Sequence, residues 1–338
     1  MEMKYYKLTD EPIRLHGLNH IDTDKGEYWR LTPDIMGKMP HYCDAGKTAM
    51  GGRLRFCTDS PKLIIQYSLR TERVDRAMAL PASAGMDVYL GSGKDSRYAG
   101  FAAPSEYGFK NNLIESEIVK GPSMETVTIN LPRGEVISSL QIGVEHGAAM
   151  EPAPEYKISR PIIFYGSSIT EGGCAPRPGT AYTSIVPRWM DADYYNYGFS
   201  GKAKGEPEFA YFIAAHKNIS AFVMDYDHNA PTPEHLESTH KPFFDIVRRA
   251  HPALPIVMMT RPDFDRDPDD STKRRSIVYK TFQAAKSDGD ENVYFVDGEQ
   301  FFGPHGRAEC TIDGCHPNAL GFMGMANTVY PLLKRLVK

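Results

Sequence analysis

Over residues 1–150 apolar positions come in short alternating runs, whereas beyond 155 they gather into compact blocks separated by longer amphipathic stretches. The alternation is clearest at Val127, Ile129 and Leu131, and again at Leu140, Ile142 and Val144. A period of two sends every second side chain to one face, as in an antiparallel strand buried on one side. With "GRLRFC", "KLIIQYSLR" and "MDVYLGSG", set between glycine, proline and acidic turns, these runs predict an all-β sandwich or jelly roll over 1–154. No long amphipathic helix is expected there.

In the second half "RPIIFYG", "ADYYNYG", "SAFVMDY", "PIVMMTR" and "NVYFVDG" read as buried strands. Between them "EPEFAYFIAAHK", "PEHLESTHKPFFDIVRRA" and "DDSTKRRSIVYKTFQAAK" have helical character. Strand–helix alternation predicts an α/β fold over 155–338, its sheet covered on both faces by right-handed crossovers. Thr232 followed by Pro233 reads as an N-cap and first turn. Pro187 and Pro242 predict interrupted helices, since proline lacks the N–H a helix interior needs. The stretch "HGAAMEPAPEY" separates the two patterns, and its prolines limit free separation. The first half is therefore expected to pack beside the carboxyl edge of the sheet. The methionine-rich tail from Gly321 reads as a packing helix.

Composition narrows the function classes. The 338 residues carry 39 Lys and Arg against 43 Asp and Glu, a net charge of -4, with no long basic run. That argues against a general nucleic-acid surface. No segment approaches the ~20 apolar residues of a membrane span, and the N-terminal stretch lacks a secretory apolar region. Cytoplasmic residence is the expectation. Five scattered cysteines do not form a disulfide framework.

The candidate chemistry begins at "PIIFYGSSIT", residues 161–170. Ser168 would stand just past a buried strand, at the sheet edge where α/β proteins present groups to ligands. Gly166 would let the backbone turn there. Thr170 stands where a G-x-S-x-G elbow would have glycine. "TIDGCHPNALG" then places Asp313 and His316 three residues apart, before a helix expected near Asn318. A carboxylate, an imidazole and a hydroxyl are the components of a nucleophile–base–orienter relay. Gly201 in "NYGFSGKAKG" and Asn229 in "DYDHNAP" follow two further strands and offer N–H donors for an oxyanion. Taken singly, each has an ordinary alternative: a capping serine, a surface Asp–His pair, a glycine turn, an Asx turn.

Together "GSSIT", "GFSG", the Asn of "DYDHN" and "DGCHP" resemble the ordered blocks of the SGNH, or GDSL-like, hydrolases over roughly residues 158–338. The resemblance implies a flavodoxin-like three-layer α/β/α catalytic domain, preceded by the β-sandwich accessory domain of some two-domain members. It implies a metal-independent serine esterase or acylhydrolase that needs no cofactor. Ser168 matches the nucleophile, His316 the base and Asp313 its partner. The Ser168 and Gly201 N–H groups and the Asn229 amide match the oxyanion hole. The chain departs from the family pattern at Ser167, where Asp is common, at Asp227, where Gly is usual, and at Ala230, where Asp often follows the Asn.

Other expectations complete the reading. Cys310, Asp313, Cys315 and His316 offer metal-ligand atoms, but their spacing lacks a paired short cysteine motif, and no metal is expected. Cys315 is expected to be a small buried group beside the histidine. Arg177 and Arg261, in loops leaving strand ends, suggest a polar rim, with Arg177 alternatively in an ion pair. With no long apolar lid, a small acyl ester, such as acetyl, of a polar or carbohydrate-like alcohol is the expected substrate. The alternative function is a non-catalytic carbohydrate- or protein-binding module.

Overall fold

The computed structural model describes Glu2–Val337. The apolar blocks of the second half form five parallel strands: β1 (Ile158–Gly166), β2 (Ala192–Gly198), β3 (Ala221–Asp225), β4 (Ile256–Met259) and β5 (Val293–Val296), in the order β2-β1-β3-β4-β5. Six helices accompany them: α1 (Ser168–Glu171), α2 (Tyr182–Met190), α3 (Pro207–Ala214), α4 (Pro233–Ala250), α5 (Pro268–Ser287) and α6 (Ala319–Leu336). Alternate strand residues feed two cores. Ile163, Tyr165, Phe222 and Met258 pack with Phe209 of α3, Phe243 of α4 and Val278 of α5. Ile162, Phe164, Val223 and Val257 pack with Ile185 of α2 and Phe322, Met325 and Val329 of α6. Burial on both faces explains why these strands read as solid apolar blocks.

Thr232 caps α4, its hydroxyl accepting from the His235 N–H at 3.2 Å, with Pro233 in the first turn. The prolines correct the sequence reading: Pro242 lies inside α4 and Pro187 inside α2 without ending either helix. The buried faces of these helices, Leu236, Phe243, Phe244 and Val247 in α4 and Ile185, Val186 and Met190 in α2, hold them by tertiary packing. Ser238, whose carbonyl loses the Pro242 N–H as partner, is exposed to water.

Among the described residues the first half contains, besides a two-stranded hairpin of His20–Asp22 with Glu27–Trp29, two larger antiparallel sheets. One runs Met3–Lys7, Ile137–Glu145, Lys62–Leu69, Ile114–Val119. The other runs Met150–Glu151, Arg53–Thr58, Glu125–Asn130, Met86–Leu90, Arg97–Ala102, with Arg14–His16 also pairing Arg53–Thr58. Leu54, Phe56, Ile65, Tyr67, Val88, Val127, Ile129 and Ile142 share one core. Two short helices, Pro33–Lys38 and Cys43–Gly46, leave these sheets and place Leu31, Ile35, Met36, Met39 and Tyr42 in the α3/α4-side core of the parallel sheet. Among the described residues no helix is long and apolar enough to cross a membrane.

Candidate active site

At the end of β1 the chain turns on Gly166, where any Cβ would collide with the Asp225 carbonyl oxygen and the Thr170 hydroxyl. Ser167 caps α1, its Oγ accepting from the Ile169 N–H at 3.1 Å. Thr170, the residue that breaks the G-x-S-x-G pattern, donates to Asp225 Oδ2 at 2.8 Å, and Tyr182 donates to the same oxygen at 2.7 Å. These bonds fasten the turn that carries Ser168 to β3. Burial pushes the Asp225 carboxyl up to about 7.

Ser168, expected from the sequence to be exposed, is only 6% accessible. Its Oγ lies 2.8 Å from His316 Nε2, and His316 Nδ1 lies 2.8 Å from Asp313 Oδ2. The other oxygen of Asp313 accepts from the backbone N–H groups of His316 and Cys315 at 2.7 and 3.0 Å, so the local turn orients carboxylate and imidazole together. Despite partial burial, those bonds hold Asp313 below the usual carboxylate range. His316 is raised, by its contact with Cys315 first and, against burial, by Asp313.

Gly201 adopts φ +66°, a left-handed conformation that glycine reaches without strain. Among the described residues, neither the Ser168 nor the Gly201 backbone N–H has a protein acceptor. Asn229 donates one amide hydrogen to the Phe199 carbonyl at 2.9 Å, which orients the side chain and leaves its second N–H.

Glu171 was not singled out by sequence. Its two oxygens accept from Arg30 and Arg133 of the first half, both at 2.9 Å, and from the Ser200 N–H at 3.3 Å. A Cβ on Gly173 would stand 3.3 Å from His316 Cδ2 and 3.5 Å from Arg133 Nη2, so the first half reaches the neighbourhood of His316. Around Arg133 and Glu171 lies a cavity of about 360 Å³, lined also by Met78, Glu135, Ser200 and Lys202.

Of the two rim expectations, Arg177 takes its ion-pair alternative and Arg261 is corrected. Arg177 Nε pairs with the fully buried Asp87 of the first half at 3.3 Å and stacks 4.0 Å from the Tyr98 ring centroid. Arg261 is 8% exposed and holds Asp263 and Asp270. Arg261, buried against Asp263, does not face an entrance.

The four candidate metal ligands do not converge as a set: Cys310 Sγ instead lies 3.4 Å from the Gly306 carbonyl. Cys315 is 3% exposed, beside His316 as expected, and also contacts His228. His228, Asp263 and Cys315 bring N, O and S together, but Arg261 already donates to both Asp263 oxygens.

Residues 159–334 match the family described as GDSL-like lipase/acylhydrolase, and residues 3–150 match the N-terminus of SGNH-hydrolase-type esterases. Among solved structures, a GDSL-like lipase candidate from Bacteroides ovatus ATCC 8483 is 25% identical, with TM-score 0.86 over 100% of this chain and 99% of that one. The salicylyl-acyltransferase SsfX3 of a tetracycline biosynthetic pathway is 21% identical, with TM-score 0.78 over 97% and 95%. A family two carbohydrate esterase from Cellvibrio japonicus is 13% identical, with TM-score 0.62 over 99% and 98%. The search of curated proteins gave no match.

Proposed function

Since the chain belongs to the GDSL-like lipase/acylhydrolase family, we propose that its esterase or acylhydrolase chemistry runs through Ser168, His316 and Asp313. The observation that carries this is the continuous relay of two 2.8 Å contacts from Ser168 Oγ through the imidazole to Asp313.

In the first half-reaction His316 Nε2 takes the Ser168 proton as Oγ bonds to the ester carbonyl carbon. The oxyanion is held by the N–H groups of Ser168 and Gly201 and the second Asn229 N–H. His316 returns the proton to the departing alcohol, leaving the acyl group on Ser168. Water, deprotonated by His316, then attacks the acyl carbon; the acid leaves and Ser168 Oγ regains its proton. Every step uses groups of this chain, and the reading needs no cofactor. The complete relay favours an enzyme over a binding module.

The substrate is proposed to be a small ester, acetyl in the first instance, of a polar or carbohydrate-like alcohol. The polar cavity beside Arg133 supports this, and the carbohydrate-esterase likeness suggests the first compounds to try. The proposal extends to the architecture: a hydrolase domain from about residue 155, whose 2-1-3-4-5 strand order supports a flavodoxin-like label, behind a sandwich domain of residues 1–154.

Ser168→Ala is the test. The folded variant should lose at least about a thousandfold in turnover of an activated acetyl ester. A serine-reactive phosphonate should label the parent at Ser168 and leave the variant unlabelled. Full activity in folded Ser168→Ala would overturn the assignment, and faster cleavage of long-chain lipids than of acetylated sugars would overturn the substrate class.

A further inference from the structure

Next to His316 the chain assembles a row of ionisable side chains that this cycle leaves unused. Arg261 Nε and Nη2 donate to Asp263 Oδ1 and Oδ2 at 2.8 and 2.9 Å. His228 Nε2 lies 3.2 Å from Asp263 Oδ2, and the same nitrogen lies 3.2 Å from Cys315 Sγ. Cys315 immediately precedes the base. Its sulfur is within 4.8 Å of a His316 ring nitrogen and of an Asp313 carboxylate oxygen. Arg261, Asp263 and Cys315 are all buried.

One imidazole nitrogen therefore meets both a carboxylate and a sulfur. Facing a carboxylate that Arg261 keeps ionised, Nε2 carries a hydrogen, so the sulfur at that nitrogen accepts. This geometry is unlike a second nucleophile relay, where the thiol proton passes to one nitrogen while the carboxylate holds the other. It is an alternating row of charge. Arg261, Asp263 and protonated His228 sum to +1; Asp270, which also pairs with Arg261, is offset by Arg274 at 2.6 Å, so a thiolate at Cys315 brings the row to zero.

We propose that Cys315 is a positioning and charge-compensating residue for His316: as the thiolate partner of His228 it cancels the row's positive charge and turns a negative group toward the base. The inference rests on His316 acting as the base. That base becomes an imidazolium as Ser168 attacks, and an adjacent negative charge stabilises it. The titration tendencies agree. Burial opposes the thiolate, but His228 and His316 bring Cys315 down to about 7; burial likewise opposes charged His228, which Asp263 and Cys315 raise to about 10. Other charged or titratable groups around the row and the base are Asp270 and Arg274 beside Arg261, Asp313 on the same loop as Cys315, Cys174 and Arg133 near the base, and Asp225 and Asp227 near His228.

The test compares Cys315→Ser, His228→Gln and the double variant by kcat and KM against pH on an activated acetyl ester, with circular dichroism and thermal melting. In Cys315→Ser the hydroxyl stays neutral and the His228 charge is uncompensated. The apparent pKa of His316 should fall by about one unit, moving the acid limb of kcat to lower pH. The plateau kcat should fall with KM little changed, because the weakened base acts in the chemical step. Adding His228→Gln removes the stray cation and should move the limb back up, to where His228→Gln alone puts it. The same order of His316 titrations should appear by histidine NMR, which does not depend on turnover. An unshifted profile in folded Cys315→Ser, or a double variant shifted further than Cys315→Ser, would overturn the proposal. If Cys315→Ser does not fold, His228→Gln alone decides: its thiol stays protonated, so the limb should still fall, and an unshifted limb would overturn the idea. An active Ser168→Ala would sink the hydrolase reading itself; an inactive one beside an unshifted Cys315→Ser would sink only this inference.

Discussion

The Asn229 side chain is oriented by its bond to the Phe199 carbonyl while its backbone is held separately by Tyr226, so truncating it removes a ligand donor without disturbing the Ser168–His316 relay. Asn229→Ala should lower kcat by about 100–1,000-fold in acetyl-ester turnover while its circular dichroism matches the parent. A folded variant with unchanged kcat would remove Asn229 from the oxyanion role and leave the nucleophile assignment standing. At this scale the sequence was informative wherever a side chain's partner sits nearby or at a strand end. Asp313 and His316 share one turn, and Ser168 follows the last residues of a strand. His228 and Cys315 are 87 positions apart, and Arg30 and Glu171 are 141 apart. No local pattern announces such pairs. The partner of Arg177, Asp87, is 90 positions away, so its ion pair could be offered only as an alternative; Arg261 was misjudged although its acceptor Asp263 is two residues along, because sequence does not show that this loop is buried.

The helices show how far packing overrides local preference. Strands β1 to β5 were legible as continuous apolar blocks, but the proline rule failed at Pro242, where an apolar face holds α4 together. That face also carries His240, 1% exposed, with Nδ1 2.9 Å from the Thr281 hydroxyl on α5. Burial pushes His240 down to about 3. The unfolded chain takes up this proton below about 6.5 while the folded one does not, so stability falls as pH drops from 6.5 toward 3. This contribution approaches about 1.4 kcal/mol per pH unit within that window. Asp225, raised to about 7 by burial, acts in the opposite direction, so the comparison must be between variants. Urea unfolding of His240→Asn should show a shallower loss of stability from pH 6.5 to 4 than the parent. Equal slopes would show that His240 takes up its proton in the folded state.

The two halves are joined by charges that neither can satisfy alone. Asp87, fully buried in the first half, accepts from the Gly179 N–H at 3.1 Å, from Asn130 at 2.9 Å and from Arg177 at 3.3 Å. It thereby grips the loop that follows α1, the helix that begins at Ser168. Asp87→Ala would strand all three donors and should cost about 3 kcal/mol or more of stability, read by denaturant unfolding. Its kcat should fall too, since that loop carries Gly173 against His316. Gly179→Ala checks the result independently, because the new Cβ would stand 2.7 Å from Asp87 Oδ2. Unchanged stability in both would mean that the loop is held elsewhere. The short helices around Ile35 and Tyr42 extend the union into the apolar interior, where Tyr42 packs against Phe199 and Phe209 and donates to Glu206 at 2.9 Å. This bears on inheritance. A recombination event in the proline-rich connector would replace the sandwich and tear away part of the parallel sheet's own interior, leaving an oily wound beside β2. Lineages of this architecture must pass on both halves together, and grafting its hydrolase half onto another carrier would have to bring residues 31–46 along.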